Sequence, residues 1–359
     1  MERQDLFDAF SSAMRGVADE SLLSGRLRSG RVKSRLLEAH PPEVSGDGVE
    51  HLIARLSADA DLSAERIGDD LWALVGAKDA FFVDALNPRF WLLHSTATAD
   101  KLRRLLTRHL LTNARVDQAW FSSEQLQQLE GERRWVRSSF SSDTLQPNES
   151  GAVVPRRWRI QVEGENPDDL LALVSQEDRY RAGAALTAVS SRLREPGMGS
   201  AEVAADYQGG FVSSGTDFHL VAGLLWRSLD RYENYVCALE DQYRLGVDTA
   251  ETGGMTIDGD VALIEFPHHV EDLPALMANL FTCREPFRLW AVPREVAAGQ
   301  WEANAVDLHV GHTIRLEITS RWLRVLLGPH TCGNTLARLV ANLQHRFDAR
   351  IAVPLSSEA

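Results

Sequence analysis

Between Val306 and Phe347 the chain spells out several elements in succession, and this stretch most constrains the fold. Val306, Leu308 and Val310 alternate with Asp307 and His309; Ile314, Leu316 and Ile318 alternate with Arg315 and Glu317. A period of two puts the apolar residues on one face of a strand and the polar ones on the other. After the Thr319-Ser320 break, Trp322–Leu327 supplies a further apolar strand, hairpin-paired with its predecessor. Leu336, Leu339, Val340, Leu343 and Phe347 then repeat at helical spacing, so an amphipathic helix closes the segment. Strands in sequence followed by a helix point to an α+β fold, with mixed or antiparallel sheets packed by helices.

The rest of the chain extends that pattern. Phe90–His94 reads as a buried strand, and Leu102, Leu105, Leu106 and Leu110 as a helix. Val116–Phe121 reads as another strand, and Ser122 with Gln125 as a capping box opening a helix. Val261–Phe266, a helix through Leu273 and Leu280 with Pro274 in its first turn, and Phe287–Val292 repeat this order. The repetition reflects a common supersecondary order more than a duplication, because residue identity between the two copies is weak. Ile67, Leu71 and Leu74-Val75 have helical spacing, as do Leu186, Val189 and Leu193, and the series from Phe218 to Leu239. The expected organisation is a mainly helical region at 1–85, an α/β region at 86–165, a helical region at 166–250 and an α+β region at 251–359.

At 359 residues, with 44% hydrophobic and 25% charged residues, the chain has the composition of a globular protein with a sizeable core. No apolar run reaches the length of a membrane span, and the polar start Met1-Glu2-Arg3-Gln4-Asp5 lacks a signal peptide's apolar core. A cytoplasmic location and no membrane partner follow as expectations. The net charge of −13 disfavours nonspecific adhesion to nucleic acid, though not a local basic patch. The three cysteines, Cys237, Cys283 and Cys332, are far apart and form no CxxC, which argues against a disulfide framework and a cysteine-rich zinc site. Arginine greatly outnumbers lysine, as in a GC-rich bacterial genome. With lysines only at Lys33, Lys78 and Lys101, a phosphate-binding GxxxxGK[ST] loop is excluded.

Chemistry concentrates at Gly328-Pro329-His330-Thr331-Cys332-Gly333-Asn334, a turn that opens the last helix. Free N–H groups and the positive end of the helix dipole favour an anion or a thiolate there. Cys332 is therefore a candidate nucleophile with His330 as proton acceptor. Gly333 and Asn334 are candidate anion-binding residues, and Asn334 is equally a helix cap. A basic face is the next candidate. Arg133, Arg137, Arg157 and Arg159 lie on two strands joined by a polar Ser141–Pro155 loop, and the Ser24–Arg35 stretch is arginine-rich without an acid. Asp307, His309 and His312 are metal-ligand types, but three-residue spacing puts the two histidines on opposite faces of a regular strand. No HExxH, GxSxG, EF-hand or GxGxxG motif is in place, so no metal or cofactor is expected.

The first functional expectation is thus a non-catalytic binding or assembly subunit of a bacterial intracellular complex, with a protein partner or a second copy. The second is nucleic-acid association through the four arginines. The third is an enzyme with Cys332 as nucleophile.

Overall fold

The computed structural model describes residues 2–16, 27, 29–43, 47–113, 115–129, 135–147, 153–164, 185–197, 199–249 and 255–355. Its larger sheet is organised around β1 (Val32–Ala39). One edge of β1 pairs with β5 (Phe90–Ser95). Its other edge pairs first with β11 (Gly210–Gly215) and then, from Leu37, with the short β6 (Val116–Gln118). Beyond β5 follow β4 (Ala80–Asp84), β3 (Leu71–Val75) and β2 (Ser63–Gly68). Beyond β11 follow β10 (Ser200–Asp206), β9 (Ala185–Arg194), β7 (Trp135–Pro147) and β8 (Val153–Glu163). The smaller sheet runs β14 (Ala262–Glu265), β19 (Trp322–Leu327), β18 (Thr313–Ile318) and β17 (Gln300–Asp307). Two short strands, Leu289–Trp290 and Arg294–Ala297, also pair with β17. Neighbouring strands in both sheets are antiparallel, and helices pack against them, as expected from the C-terminal pattern.

Helices α1 (Arg3–Arg15), α2 (Gly48–Asp59), α3 (Ala99–Leu105) and α4 (Ser123–Gln128) precede the 26-residue α5 (Phe218–Tyr243). Helices α6 (Leu273–Leu280) and α7 (Gly333–Arg346) follow. The capping box at Ser122 and Gln125 is present, and Pro274 stands in the first turn of α6. Helix α5 joins two cores. Phe218, Val221, Leu225, Leu229 and Val236 pack in the core of the larger sheet, whereas Leu239 and Tyr243 pack in that of the smaller one. Nearly every residue of α7 is buried, polar ones included. Among the described residues, no helix is long and apolar enough to cross a membrane.

Three local readings are corrected. Residues 1–85 are not mainly helical: Leu71 and Leu74-Val75 lie in β3, and Ile67 in β2. Strand β3 is covered on both faces, so its apolar run is continuous and mimics helical spacing. Leu186, Val189 and Leu193 belong to β9, where Ser190 and Ser191 are also buried and blur the alternation. Residues 166–250 therefore contribute strands β9, β10 and β11 as well as α5. The end of the Ser24–Arg35 stretch is likewise strand: Lys33 and Arg35 take the outward positions of β1 and Ser34 an inward one. Arg26 and Arg28 lie outside the described residues.

One buried histidine makes the fold sensitive to acid. His94 on β5 is surrounded by Phe7, Phe10 and Phe218, and its Nδ1 is 2.8 Å from Ser34 Oγ. Burial pushes its imidazole down to about 4, against the opposing charge of Asp84. The unfolded chain, with an ordinary value near 6.5, takes up the proton first as pH falls. The contribution is therefore complete above pH ~6.5 and is lost between ~6.5 and ~4, by up to about tenfold in the folding equilibrium per pH unit. Urea midpoints for wild type and His94→Phe at pH 7 and pH 5 check this. The wild type should lose more stability between the two pH values, and equal losses would refute it.

Candidate metal centre

The end of β1 enters a region where both sheets meet α5 and the start of α7. Glu38 is the last but one residue of β1, and His40 follows the strand with the same side-chain parity. His309 stands in the turn after β17, and Cys332 is the N-cap of α7. Glu38, His40, His309 and Cys332 each bring one ligand atom to within 4.8 Å of all the others.

The spacing within this cluster is chemically specific. His40 Nε2 is 3.5 Å from Glu38 Oε1, and His309 Nδ1 is 3.7 Å from Glu38 Oε2. Cys332 Sγ is 3.1 and 3.2 Å from the two Glu38 oxygens. Tetrahedral zinc with bonds of 2.0–2.3 Å needs ligand-to-ligand separations of about 3.3–3.8 Å. His309 is wholly buried, and neither of its ring nitrogens has a hydrogen-bond partner; His40 Nε2 faces the Glu38 carboxylate. Buried imidazole nitrogens normally find a partner, so an orphaned imidazole beside His40, a carboxylate and a thiol completes a donor set awaiting an acceptor of electron pairs.

The surroundings hold His309 and Glu38 in metal-ready protonation states, but not Cys332. Burial pushes the His309 imidazole down to about 4 despite the carboxylates of Asp117 and Glu38, so it is neutral at pH 7. Burial opposes ionisation of Glu38, but His40 and the Arg89 guanidinium outweigh it and hold the carboxyl well below its usual range. Arg89 reaches Glu38 Oε1 through Nε at 2.7 Å and forks onto the Glu240 carboxylate. The exception is Cys332, whose thiol is pushed well above its ordinary value by burial and by Glu38.

A second network supports the first. Arg338 on α7 is fully buried and bonds Asp117, Asp307 and the Phe287 carbonyl. Asp307 also accepts from Thr335 and from the His309 backbone N–H at 3.0 Å, which fixes the turn carrying His309. Tyr232 on α5 accepts from Trp120 N at 2.9 Å and donates to Asn334, whose Nδ2 donates to the Gln118 carbonyl at 3.3 Å.

The Gly328–Asn334 turn therefore differs from its sequence reading. The N–H of Gly333 is taken by Glu240 at 2.8 Å, and that of Asn334 by Cys332 Sγ at 3.3 Å, so neither is open to an external anion. Cys332, not Asn334, is the cap. Gly333 is required by close approach, because a Cβ there would lie 2.5 Å from the Val236 carbonyl oxygen of α5. His330 is exposed and packs on His312 with ring centroids 5.9 Å apart, leaving His40 and His309 as the imidazoles of the Cys332 cluster. A buried thiol held protonated is a poor nucleophile.

The MJECL33-like protein family matches residues 1–358. The chain belongs to that family. Protein MJECL33 of Methanocaldococcus jannaschii is 23% identical over 314 residues, covering 77% of this chain and 76% of its own length. No solved structure matches the chain. That relative is archaeal, so it lends nothing to the bacterial origin expected from the arginine content.

In this member of the MJECL33-like family, the basic face is partly offset by acids. Arg137 is paired with Glu163 at 2.6 Å, and Arg159 is exposed opposite Ser141. Arg157 stands opposite Asp143 in the β7–β8 register. Its side chain, and all of Arg133, lie outside the described residues. Strands β7 and β8 continue to Pro147 and from Val153, so the expected Ser141–Pro155 loop is mostly strand. Sequence reasoning missed Glu38 and His40. Their spacing of two at a strand end was the available signal.

Proposed function

We propose that the chain is a metal-binding protein, with Glu38, His40, His309 and Cys332 holding one divalent d-block ion, zinc by preference. The observation that carries this reading is the convergence of the buried His309 imidazole, which has no hydrogen-bond partner, with His40, a carboxylate and a thiol. Two imidazoles, one thiolate and one carboxylate suit zinc in charge, softness and geometry. This reading departs from the sequence expectation that no metal is bound.

The centre differs from a sealed structural zinc site in its access. His40, with 28% of its side chain exposed, and Cys332 line a cleft of about 1320 Å³ between the two sheets. An ion placed there can be reached by a small molecule, which favours a reactive or ligand-exchanging centre. Metal analysis of protein purified without chelator, followed by titration of stripped protein with Zn²⁺ and Co²⁺, tests the proposal. One ion per chain is expected, with the intense thiolate-to-cobalt absorption that Cys332 ligation gives. Failure to retain or rebind any of Zn²⁺, Co²⁺ or Fe²⁺ sinks it.

A further inference from the structure

We infer that the metal centre takes an oxyanion, a phosphate or carboxylate group of a small molecule, between the bound ion and the guanidinium of Arg115. The inference rests on the metal-binding reading above and names the ligand class of that site.

Charge is the first support. Glu38 and a Cys332 thiolate together neutralise a divalent ion, while His40 and His309 contribute none. Arg89 then loses Glu38 as a free counterion and shares Glu240 with Arg244, since both guanidiniums bond that one carboxylate. Two cations facing one acid leave the metal-loaded floor of the cleft positive.

Position is the second support. Arg115 is exposed on the cleft wall beside the centre. Its Nη1 donates to the backbone carbonyl of the metal ligand His40 at 3.2 Å, and among the described residues it has no carboxylate partner. That bond tethers the guanidinium to the metal ligand's own backbone and uses one of its five N–H groups, and a planar fork of donors matches an oxyanion. Of the acids in the lining, Glu240 is taken by Arg89 and Arg244 and Asp47 caps α2 through Val49 N and Glu50 N, while Glu43 is exposed to solvent. Zinc can expand to five ligands, which would admit such a group beside the four protein donors.

The test uses full-length protein loaded with zinc, its metal content measured on the same sample, and calorimetric titration with inorganic phosphate and, separately, acetate. Wild type should bind at least one of these anions, phosphate alone pointing to a phosphorylated ligand and acetate to a carboxylate. Arg115→Ala should keep its zinc affinity and weaken anion binding by about tenfold or more, with Arg115→Lys recovering part of it. Full zinc loading without binding of either anion overturns the inference and leaves the metal reading intact. An Arg115→Ala protein that binds anion as well as wild type also overturns it. Absence of zinc loading removes both.

Discussion

Arg338→Ala is expected to destabilise the protein by about 3–5 kcal/mol, because removing one partner of a buried charge network leaves the others undercompensated. Arg338 bridges Asp117 and Asp307, both fully buried, from the middle of a helix with no exposed face in its first three turns. Without it Asp117 keeps Arg288 at 3.3 Å, whereas Asp307 is left with the neutral Thr335 hydroxyl and His309 N–H. Set against a typical total of about 5–15 kcal/mol, that loss brings the chain close to unfolding at room temperature. The change acts on the site as well, since Asp307 holds the backbone of His309. Urea denaturation checks the magnitude, and a loss below about 1 kcal/mol would show that the carboxylates find other partners. Adding Asp307→Asn to Arg338→Met removes the carboxylate that has no other cation, while Asp117 keeps Arg288, and should recover part of the stability.

His309→Ala is expected to weaken zinc binding by at least about 100-fold, more than the 10- to 100-fold cost of losing an outer-shell partner. The titration has a second signature. The short approach of Cys332 Sγ to both Glu38 oxygens is attractive only with a thiol proton between them, and a metal can use the sulfur only as thiolate. Zinc uptake near neutral pH should therefore release about one proton per ion, seen as a dependence of the calorimetric enthalpy on the buffer. Cys332→Ser should bind more weakly and release less. Unchanged zinc affinity in His309→Ala would show that the ion sits elsewhere.

What could be read in advance follows from the range of the physics involved. Strands β18 and β19 are half-covered and paired with neighbours in sequence, so local periodicity records them; helix α7 is buried nearly all round, yet its apolar residues still fall at helical spacing. Strands β3 and β9 are covered on both faces, so the alternation that marks a strand is erased. The centre is harder still, because its members are residues 38, 40, 309 and 332 and only the first two are close in the chain. Cys332 and His309 each stood out as reactive types, yet their sequence neighbours His330 and His312 packed against one another at the cleft mouth. Burial, which no local pattern reports, separated ligand from bystander.

The centre draws on both ends of the chain: Glu38 and His40 come from the first strand of the larger sheet, His309 and Cys332 from beside the smaller one. An ion held by all four closes a covalent-like ring through most of the polypeptide, as a long-range disulfide would, but with a reversible bond. Because the four donors are assembled only in the folded chain, the binding free energy of the ion adds to folding stability. Neither sheet can come apart without releasing the ion, so the two sheets should unfold together when it is bound, and stripping it with a chelator should lower the midpoint and broaden the transition.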